Sequence, residues 1–223
     1  MKNRLFTSLF VLALSVTFAS AQDGPKTSFA IIGGVNLQNL TGKAYNGDKL
    51  NNDLLLGYHV GVNAQIPVAS KFYFQPGLLY SAKGAKTSSE SSNSTTSINY
   101  IEMPLNMVYK SACGNGFFMA GVGPYVAYGI SGKVKTTSDL PTLESKIEFK
   151  NVIGVNDPLD VPFYKPFDAG ANAFIGYEMG NGVFCQLDVQ LGLLKINSEY
   201  SEFPDDKTSV KNTGFGLSTG YRF

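Results

Sequence analysis

The stretch VFCQLDVQLGL, residues 183–193, alternates strictly between two kinds of side chain. One face would carry Val183, Cys185, Leu187, Val189, Leu191 and Leu193. The other would carry Phe184, Gln186, Asp188, Gln190 and Gly192. Successive side chains of a β-strand point to opposite faces, whereas a helical face repeats every three to four residues. The stretch therefore predicts a strand with one apolar and one largely polar face.

Seven further segments show the same period of two, and helical periodicity is almost absent. They lie at about 28–37, 54–66, 71–83, 98–110, 117–131, 168–179 and 213–223. Proline removes a donor from the hydrogen-bond ladder, so we expect a bulge or irregular pairing at Pro76, Pro104 and Pro124. The pattern predicts an all-β, eight-stranded antiparallel up-and-down barrel.

The connections between these segments alternate in length. Residues 67–70, 112–116 and 180–182 form tight turns rich in small residues, whereas 38–53, 84–97, 132–165 and 196–212 are long. Short periplasmic turns and four long extracellular loops are typical of outer-membrane barrels. We expect the polar loop 84–97 to be mobile and KIEFKNVIG, 146–154, to add a hairpin strand. The third loop is the candidate recognition loop, through Phe149, Phe163 and Tyr164.

The polar face is built mainly from glycines and amides, with few charges. This composition suits the narrow lumen of a small barrel better than a solvent-exposed surface. Aromatic residues on the apolar face gather toward the strand ends, as in the girdles of membrane barrels. The alternation alone would also fit a soluble calyx that carries a small apolar ligand, and the polar face decides against it.

The first 21 residues read as a cleaved signal peptide, with a basic start, an apolar core and Ala19-Ser20-Ala21 at the cleavage site. The barrel domain then spans residues 22–223. Removing Lys2 and Arg4 leaves 16 basic and 17 acidic residues, a net charge of −1. This charge argues against nucleic acid as a partner. Cys113 and Cys185 fall on non-adjacent strands, which disfavours a disulfide.

Three stretches together resemble one known family. YIEMPLNMVYK (100–110), GVGPYVAYG (121–129) and the terminal GYRF (220–223), following a signal peptide, look like the PorT-like outer-membrane β-barrel family of Bacteroidetes. The resemblance implies a barrel in the cell outer membrane. The family's name comes from a member linked to secretion of surface proteases, and most members have no assigned function, so it implies no functional residues.

Charged residues on the polar face suggest a closed lumen. Glu102, Lys110, Asp168, Glu178, Asp188 and Arg222 all fall on it, with Lys83 near its outer end. Buried charges are costly unless they are paired. We expect Arg222 and Lys110 to pair with some of Glu102, Glu178 and Asp188 and so to plug the barrel.

His59 is the only histidine, which excludes a multi-histidine metal site. It would face the lumen in the outer half of its strand, where some outer-membrane enzymes keep their catalytic groups. Spacing places no serine or carboxylate beside it, so we expect no enzyme, no cofactor and no metal. The aromatic ending, Tyr221 and Phe223, resembles the signal that the outer-membrane assembly machinery reads.

The sequence thus predicts a small, monomeric, plugged outer-membrane barrel with a structural or recognition role through its loops. A link to surface or secretion machinery is one form of that role. Its expected partners are outer-membrane lipid, the assembly machinery and an unidentified extracellular or periplasmic molecule.

Overall fold

The computed structural model describes residues 26–89, 92–138, 141–158, 160–202 and 206–223. The predicted signal peptide, residues 1–21, lies outside the described residues. Within them, no helix is long and apolar enough to cross a membrane.

The chain is built from strands. Five long ones come first: β1 (Ser28–Lys43), β2 (Leu55–Ala69), β3 (Phe72–Ser88), β4 (Ser92–Cys113) and β5 (Gly116–Ser138). Four short ones follow: β6 (Leu143–Lys146), β7 (Glu148–Phe149), β8 (Val152–Ile153) and β9 (Phe163–Tyr164). The last four are β10 (Phe167–Met179), β11 (Val183–Gly192), β12 (Glu199–Tyr200) and β13 (Ser209–Arg222).

Eight antiparallel strands close into a ring in the order β1, β2, β3, β4, β5, β10, β11 and β13. The first and last strands form the seam, in a register that pairs Ile31 with Tyr221. The seam ends where the Phe223 N–H donates to the Phe29 carbonyl at 2.8 Å. Closure leaves no unpaired sheet edge around the ring. The predicted eight-stranded antiparallel barrel is confirmed.

The two faces of the wall differ as the alternation predicts. On β11, Phe184 and Gln186 are buried inside the ring, whereas Leu187 and Val189 are more than half exposed on its outside. Glycines on the inner face make room for large rings, because a Cβ on Gly121 would lie 2.2 Å from Phe174 and one on Gly220 would lie 2.3 Å from Phe184. Small residues therefore let aromatic side chains cross the narrow lumen.

The three prolines lie on the neighbouring strands β3, β4 and β5. The β3–β4 ladder has no pairs between Pro76 and Leu79, and the β4–β5 ladder has none between Pro104 and Met107. Pro124 falls in this second gap but still faces Ala171 of β10. The expected irregular pairing is present beside each proline.

A bulge in β5 reverses the faces of its outer part. Asn99 pairs with Ser131 and Tyr100 with Gly129, so Ile130 is the extra residue. Before the bulge, odd-numbered residues of β5 point into the lumen, and after it they point outward.

The strands extend beyond their predicted ends, so most of the segment predicted as a loop at 84–97 is paired strand. Gly84–Ser88 pair with Asn93–Ser97, and β4 also pairs with β5 along the same stretch. Threonine is well suited to strands, and above a membrane both faces of a strand can be polar. A polar, low-complexity composition therefore did not preclude a paired strand.

The third and fourth loops fold together over the outer mouth of the barrel, forming the loop cap (residues 141–166 and 193–208, as far as they are described). The predicted hairpin strand is displaced: β6, at 143–146, pairs with β5, whereas β7 and β8 form short parallel pairs with β9 and β12. Ile147 and Ile196 of the cap bury their side chains in one cluster with Leu40, Ile98 and Tyr100. An apolar layer thus covers the outer end of the lumen.

Candidate functional site

An inner network lies near the short-turn end of the lumen, around Glu178. Lys110 Nζ lies 2.6 Å from Glu178 Oε1, and Arg222 Nε lies 2.9 Å from Oε2. Arg222 also donates to Asn63 Oδ1 at 3.3 Å, and its guanidinium carbon lies 5.6 Å from the centre of the Phe184 ring. Both cations that were predicted to plug the barrel therefore converge on one carboxylate.

An outer network lies beneath the cap, around Lys83. Its ammonium group is 2.7 Å from Glu102 Oε2 and 3.4 Å from Asp168 Oδ2, and it lies 4.4 Å from the centre of the Tyr125 ring. Tyr125 and Asn212 both donate to Asp168, at 3.1 and 2.9 Å. Sequence analysis noted Lys83 only as a charge near the outer end and did not pair it with these acids.

The middle of the lumen holds a histidine, a serine and an aspartate in contact. His59 Nε2 lies 2.8 Å from Ser218 Oγ, and Ser218 donates to Asp188. Since the serine's one proton goes to the aspartate, the histidine must donate to the serine. A catalytic triad has the reverse order, with the histidine between the other two and accepting the serine's proton. The cluster is thus arranged as a structural hydrogen-bond chain.

Sequence reasoning missed Ser218 and Asp188 as neighbours of His59. The alternation of the last strand puts Ser218 on the inner face, which was the available signal. Their proximity depends on the registers of β2 with β1, of β1 with β13 and of β13 with β11, which spacing along the chain does not give. Asp188, predicted as a partner of Arg222 or Lys110, instead accepts from Gln186 at 2.6 Å and forms no ion pair among the described residues.

A cavity of about 80 Å³ lies between the two networks. Its lining includes Asn36, Gln38 and Asn172, each with a side-chain oxygen that accepts no hydrogen bond from the described residues. This volume is several times the roughly 10–15 Å³ that a cavity needs to hold one water molecule, so the cavity has room for more than one. The cavity lies inside the wall, and its lining mixes these amides with apolar side chains such as Ile32 and Leu79.

A larger cleft opens in the loop cap, with a volume of about 540 Å³. Among the described residues, the aromatic side chains that line it are those of Phe163, Tyr164 and Tyr200. Its polar lining consists of Thr136, Ser145, Asp160, Asn197, Ser198, Asp206 and Thr208. Burial raises the pKa of Tyr164, and a hydrogen bond with Thr96 partly offsets this. The phenol therefore stays neutral and able to donate.

The three residues of the candidate recognition loop have different surroundings. Phe163 and Tyr164 line the cleft, and Tyr164 also packs against the apolar layer of the cap. Phe149 does not line it: its ring packs against that layer and comes so close to Gly129 that a Cβ there would lie 2.4 Å away. Phe149 thus holds the cap on the barrel mouth.

Comparison with known protein families identifies the chain. Residues 20–198 match the family described as outer membrane protein beta-barrel domain. The chain belongs to this family. It is an outer-membrane barrel, and the apolar belt around its wall is the surface that faces lipid.

Several solved structures resemble this outer-membrane barrel. The attachment invasion locus protein Ail of Yersinia pestis, solved with the heparin analogue sucrose octasulfate, is 12% identical, with 89% of this chain and 100% of that chain covered and a TM-score of 0.40. Neisserial surface protein A is 12% identical, with 89% and 98% covered and a TM-score of 0.44. OprG of Pseudomonas aeruginosa is 13% identical, with 88% and 95% covered and a TM-score of 0.45.

Identities and TM-scores this low say nothing about function. No curated protein sequence matches the chain.

Aromatic pairs mark both ends of the lipid-facing belt of the outer-membrane barrel. Tyr58 and Tyr80 stack at 5.9 Å toward the cap. At the short-turn end, Tyr221 and Phe223, the predicted assembly signal, meet edge to face at 5.1 Å. Such girdles lie at the two interfaces of a membrane, because aromatic rings combine an apolar body with a polar edge.

Both cysteines are free and exposed on the outside of the wall. Cys113 lies at the end of β4 and Cys185 on β11, which are not neighbours in the ring.

Proposed function

We propose that this outer-membrane barrel is a recognition protein that binds a neutral glycan in the cleft of its loop cap. The observation that carries the proposal is the cleft itself, at about 540 Å³ within the loop cap. Ligand sites typically have volumes of about 300–1,000 Å³ and combine apolar walls with a few polar groups. The smaller lumen cavity falls well below that range, which favours the cap over a ligand-carrying calyx.

The lining of the cleft supports a neutral sugar. The rings of Phe163, Tyr164 and Tyr200 offer apolar faces, and the hydroxyl, amide and carboxylate groups between them suit a ligand with many hydroxyls. Among the described residues, the lining contains Asp160 and Asp206 but no lysine or arginine. An anionic ligand would meet repulsion there without a compensating cation.

The test is a glycan array probed with the purified barrel in detergent. We expect binding to a neutral glycan, and the Tyr200→Ala variant should lose about 2 kcal/mol of binding free energy, the size of effect that marks a binding hot spot. Tyr45→Ala is the matched control, because Tyr45 is exposed in the first loop and does not line the cleft. Binding that survives Tyr200→Ala, or falls equally in the control, would contradict the proposal.

A role beside secretion machinery is the second candidate, on the resemblance to the PorT-like family. A basin of about 370 Å³ at the short-turn mouth supports it, lined by Lys26, Lys110, Met179, Arg222 and Phe223 among others. A periplasmic protein could dock there while the barrel remains a monomer in the membrane. Site-specific photo-crosslinking from Asn181 in living cells tests it. A defined adduct of one periplasmic or inner-membrane protein supports the role, and its absence excludes it.

A further inference from the structure

A second surface feature lies outside the cap cleft, on the outer wall of the barrel where it leaves the membrane. This feature, the outer-rim groove, has a volume of about 510 Å³ and crosses β2, β3, β4, β5 and β6. Its floor includes Leu55, Leu56 and Tyr58, and its upper wall includes Lys133 and Lys146. Lys83 also borders the groove, although its buried ammonium group pairs with Glu102 and Asp168 in the outer network. The proposed glycan site shares no lining residue with it among the described residues.

The floor of the groove is continuous with the lipid-facing belt. Leu56 is 65% exposed and Tyr58 is 54% exposed, and Tyr58 stacks on Tyr80 within the outer aromatic girdle. The groove therefore begins at the level where acyl chains give way to lipid headgroups.

The upper wall of the groove carries an excess of positive charge. Lys133 and Lys146 are directly opposite each other in the β5–β6 register, an arrangement that like charges destabilise. Glu144 pairs with Lys133 at 3.2 Å, and no carboxylate of the described residues forms an ion pair with Lys146. Lys135, two residues further along β5, lies on the same outward face as Lys133. It too forms no ion pair among the described residues. The lysines thus lack part of their counter-charge.

The bulge at Ile130 creates this basic wall. It reverses the faces of the outer part of β5, so that Lys133 points outward above the girdle instead of into the cap. Asn99 and Ser131, hydrogen-bonded at 3.0 Å, lie between the lysines and the floor and supply neutral polar groups. From the lipid-facing belt outward, the groove thus presents apolar, then neutral polar, then basic side chains. An anionic lipid presents its acyl chains, its linkage and its headgroup in the same order.

We propose that the outer-rim groove binds an anionic lipid of the outer leaflet, with the headgroup on Lys133 and Lys146 and the acyl chains on Leu56 and Tyr58. The groove crosses four strand spacings of about 4.8 Å each, or about 19 Å, which is wide enough to hold one lipid molecule. Lysines at such an interface attract anionic lipids, by a factor of about five for each residue. The bound lipid neutralises the two facing ammonium groups.

The test uses tryptophan fluorescence, since the chain contains no tryptophan. The reporter is Tyr58→Trp, reconstituted in phosphatidylcholine vesicles that hold a minor fraction of chain-brominated phosphatidic acid or, for comparison, chain-brominated phosphatidylcholine. We expect stronger quenching by the anionic lipid. The double change Lys133→Gln with Lys146→Gln should reduce the preference for it by a factor of about twenty-five, or about five for each lysine.

Two matched controls make the result specific. Phe215→Trp places the reporter in the strand-pairing row of Leu56, next to that of Tyr58, through the pairs Phe215–Leu37 and Leu37–Leu56, but away from the groove. Lys195→Gln removes an exposed charge on another side of the rim. Phe215→Trp should be quenched equally by the two brominated lipids. Lys195→Gln should leave unchanged the preference for the anionic lipid that Tyr58→Trp reports.

The proposal is overturned if the two brominated lipids quench Tyr58→Trp equally, or if Phe215→Trp reports the same preference for the anionic lipid. It is also overturned if the two lysine changes leave that preference unchanged. Reversal of the quenching by inorganic phosphate would also overturn it, because the site would then bind the free anion rather than a lipid. All variants should keep the heat-dependent gel mobility of a folded barrel, since the lysines changed are exposed.

Discussion

Lys83 on β3 reaches across the lumen to Asp168 on β10, with 3.4 Å between the ammonium nitrogen and the carboxylate and both side chains fully buried. The same ammonium group also neutralises Glu102 at 2.7 Å. In the outer network one cation therefore neutralises two carboxylates, whereas in the inner network two cations pair with the single carboxylate of Glu178. This asymmetry makes the two networks differ in how they respond to mutation.

The first prediction ranks the buried cations. Lys83→Met leaves two buried carboxylates without a cation and should cost about 3–5 kcal/mol of unfolding free energy. Arg222→Leu leaves Glu178 paired with Lys110, so its cost should be only that of a charged hydrogen bond, about 1.5–3 kcal/mol. The measurement is the temperature at which gel mobility in detergent changes from the folded to the unfolded form.

The control for that ranking is Lys150→Gln, which removes an exposed ion pair with Asp157 in the cap and should change stability little. Adding Glu102→Gln and Asp168→Asn to Lys83→Met should restore much of the loss. An unchanged midpoint for Arg222→Leu would show that the inner network does not stabilise the barrel.

The second prediction concerns the end of the chain. Deleting Phe223 removes the last seam hydrogen bond, to Phe29, and the edge-to-face contact with Tyr221. We expect less protein inserted in the outer membrane, measured by fractionation, with normal stability of the molecules that do insert. Phe215→Ala, on the same strand, is the control for losing an aromatic residue. Normal outer-membrane levels after the deletion would refute the role in assembly.

The third prediction concerns the buried serine. Ser218 should not react with a fluorophosphonate probe, because it donates its proton to Asp188 rather than to His59 and its side chain is buried. The measurement is covalent labelling of the folded barrel in detergent, with a serine hydrolase as the positive control. Labelling that Ser218→Ala abolishes would establish an enzyme instead.

The fourth prediction concerns pH and the cap. Lys165 donates to Glu199 at 2.6 Å, and this hydrogen bond lowers the pKa of the carboxyl below its ordinary value of about 4.3. A lowered pKa means that the contact favours the folded cap above that value and is lost only as the pH falls through the lowered pKa. Lys165→Gln should raise the pKa of Glu199 toward the ordinary value of a glutamate carboxyl. The measurement is an NMR titration of the Glu199 side chain.

Asp157 provides the internal reference for this titration. Its pKa is lowered mainly by the hydrogen bond from Lys150, which Lys165→Gln does not touch. The pKa of Asp157 should therefore stay where it is while that of Glu199 rises. Equal shifts of both would mean that the substitution disturbs the whole cap.

Alternation along the chain was enough to predict the ring and the face on which each charge lies. Glu102, Glu178 and Asp188 have their side chains inside the ring because side-chain direction in a strand is a local property. The partners of those charges are not local: Lys83 meets Asp168 across 85 residues, and Ser218 meets His59 across 159. Such contacts depend on strand registers, which period two leaves open because every shift by two residues preserves the pattern.

The loop cap was the least predictable part. Its strands β7, β8, β9 and β12 are two residues long and pair with segments far along the chain, so no periodicity can show in them. The composition of residues 84–97 suggested a loop, but hydrogen bonding on both sides of β4 outweighs weak local preference.

The extra residue at Ile130 has a consequence for how this chain can vary. Single substitutions on the outer part of β5 change one side chain, but deleting one residue beside the bulge would exchange the two faces of everything beyond it. Lys133 would then turn toward the apolar layer, and Val134 would turn toward water. The number of residues beside the bulge should therefore be more strongly constrained than their identity. An epitope tag should accordingly be inserted in the first loop, residues 44–54, rather than beside the bulge.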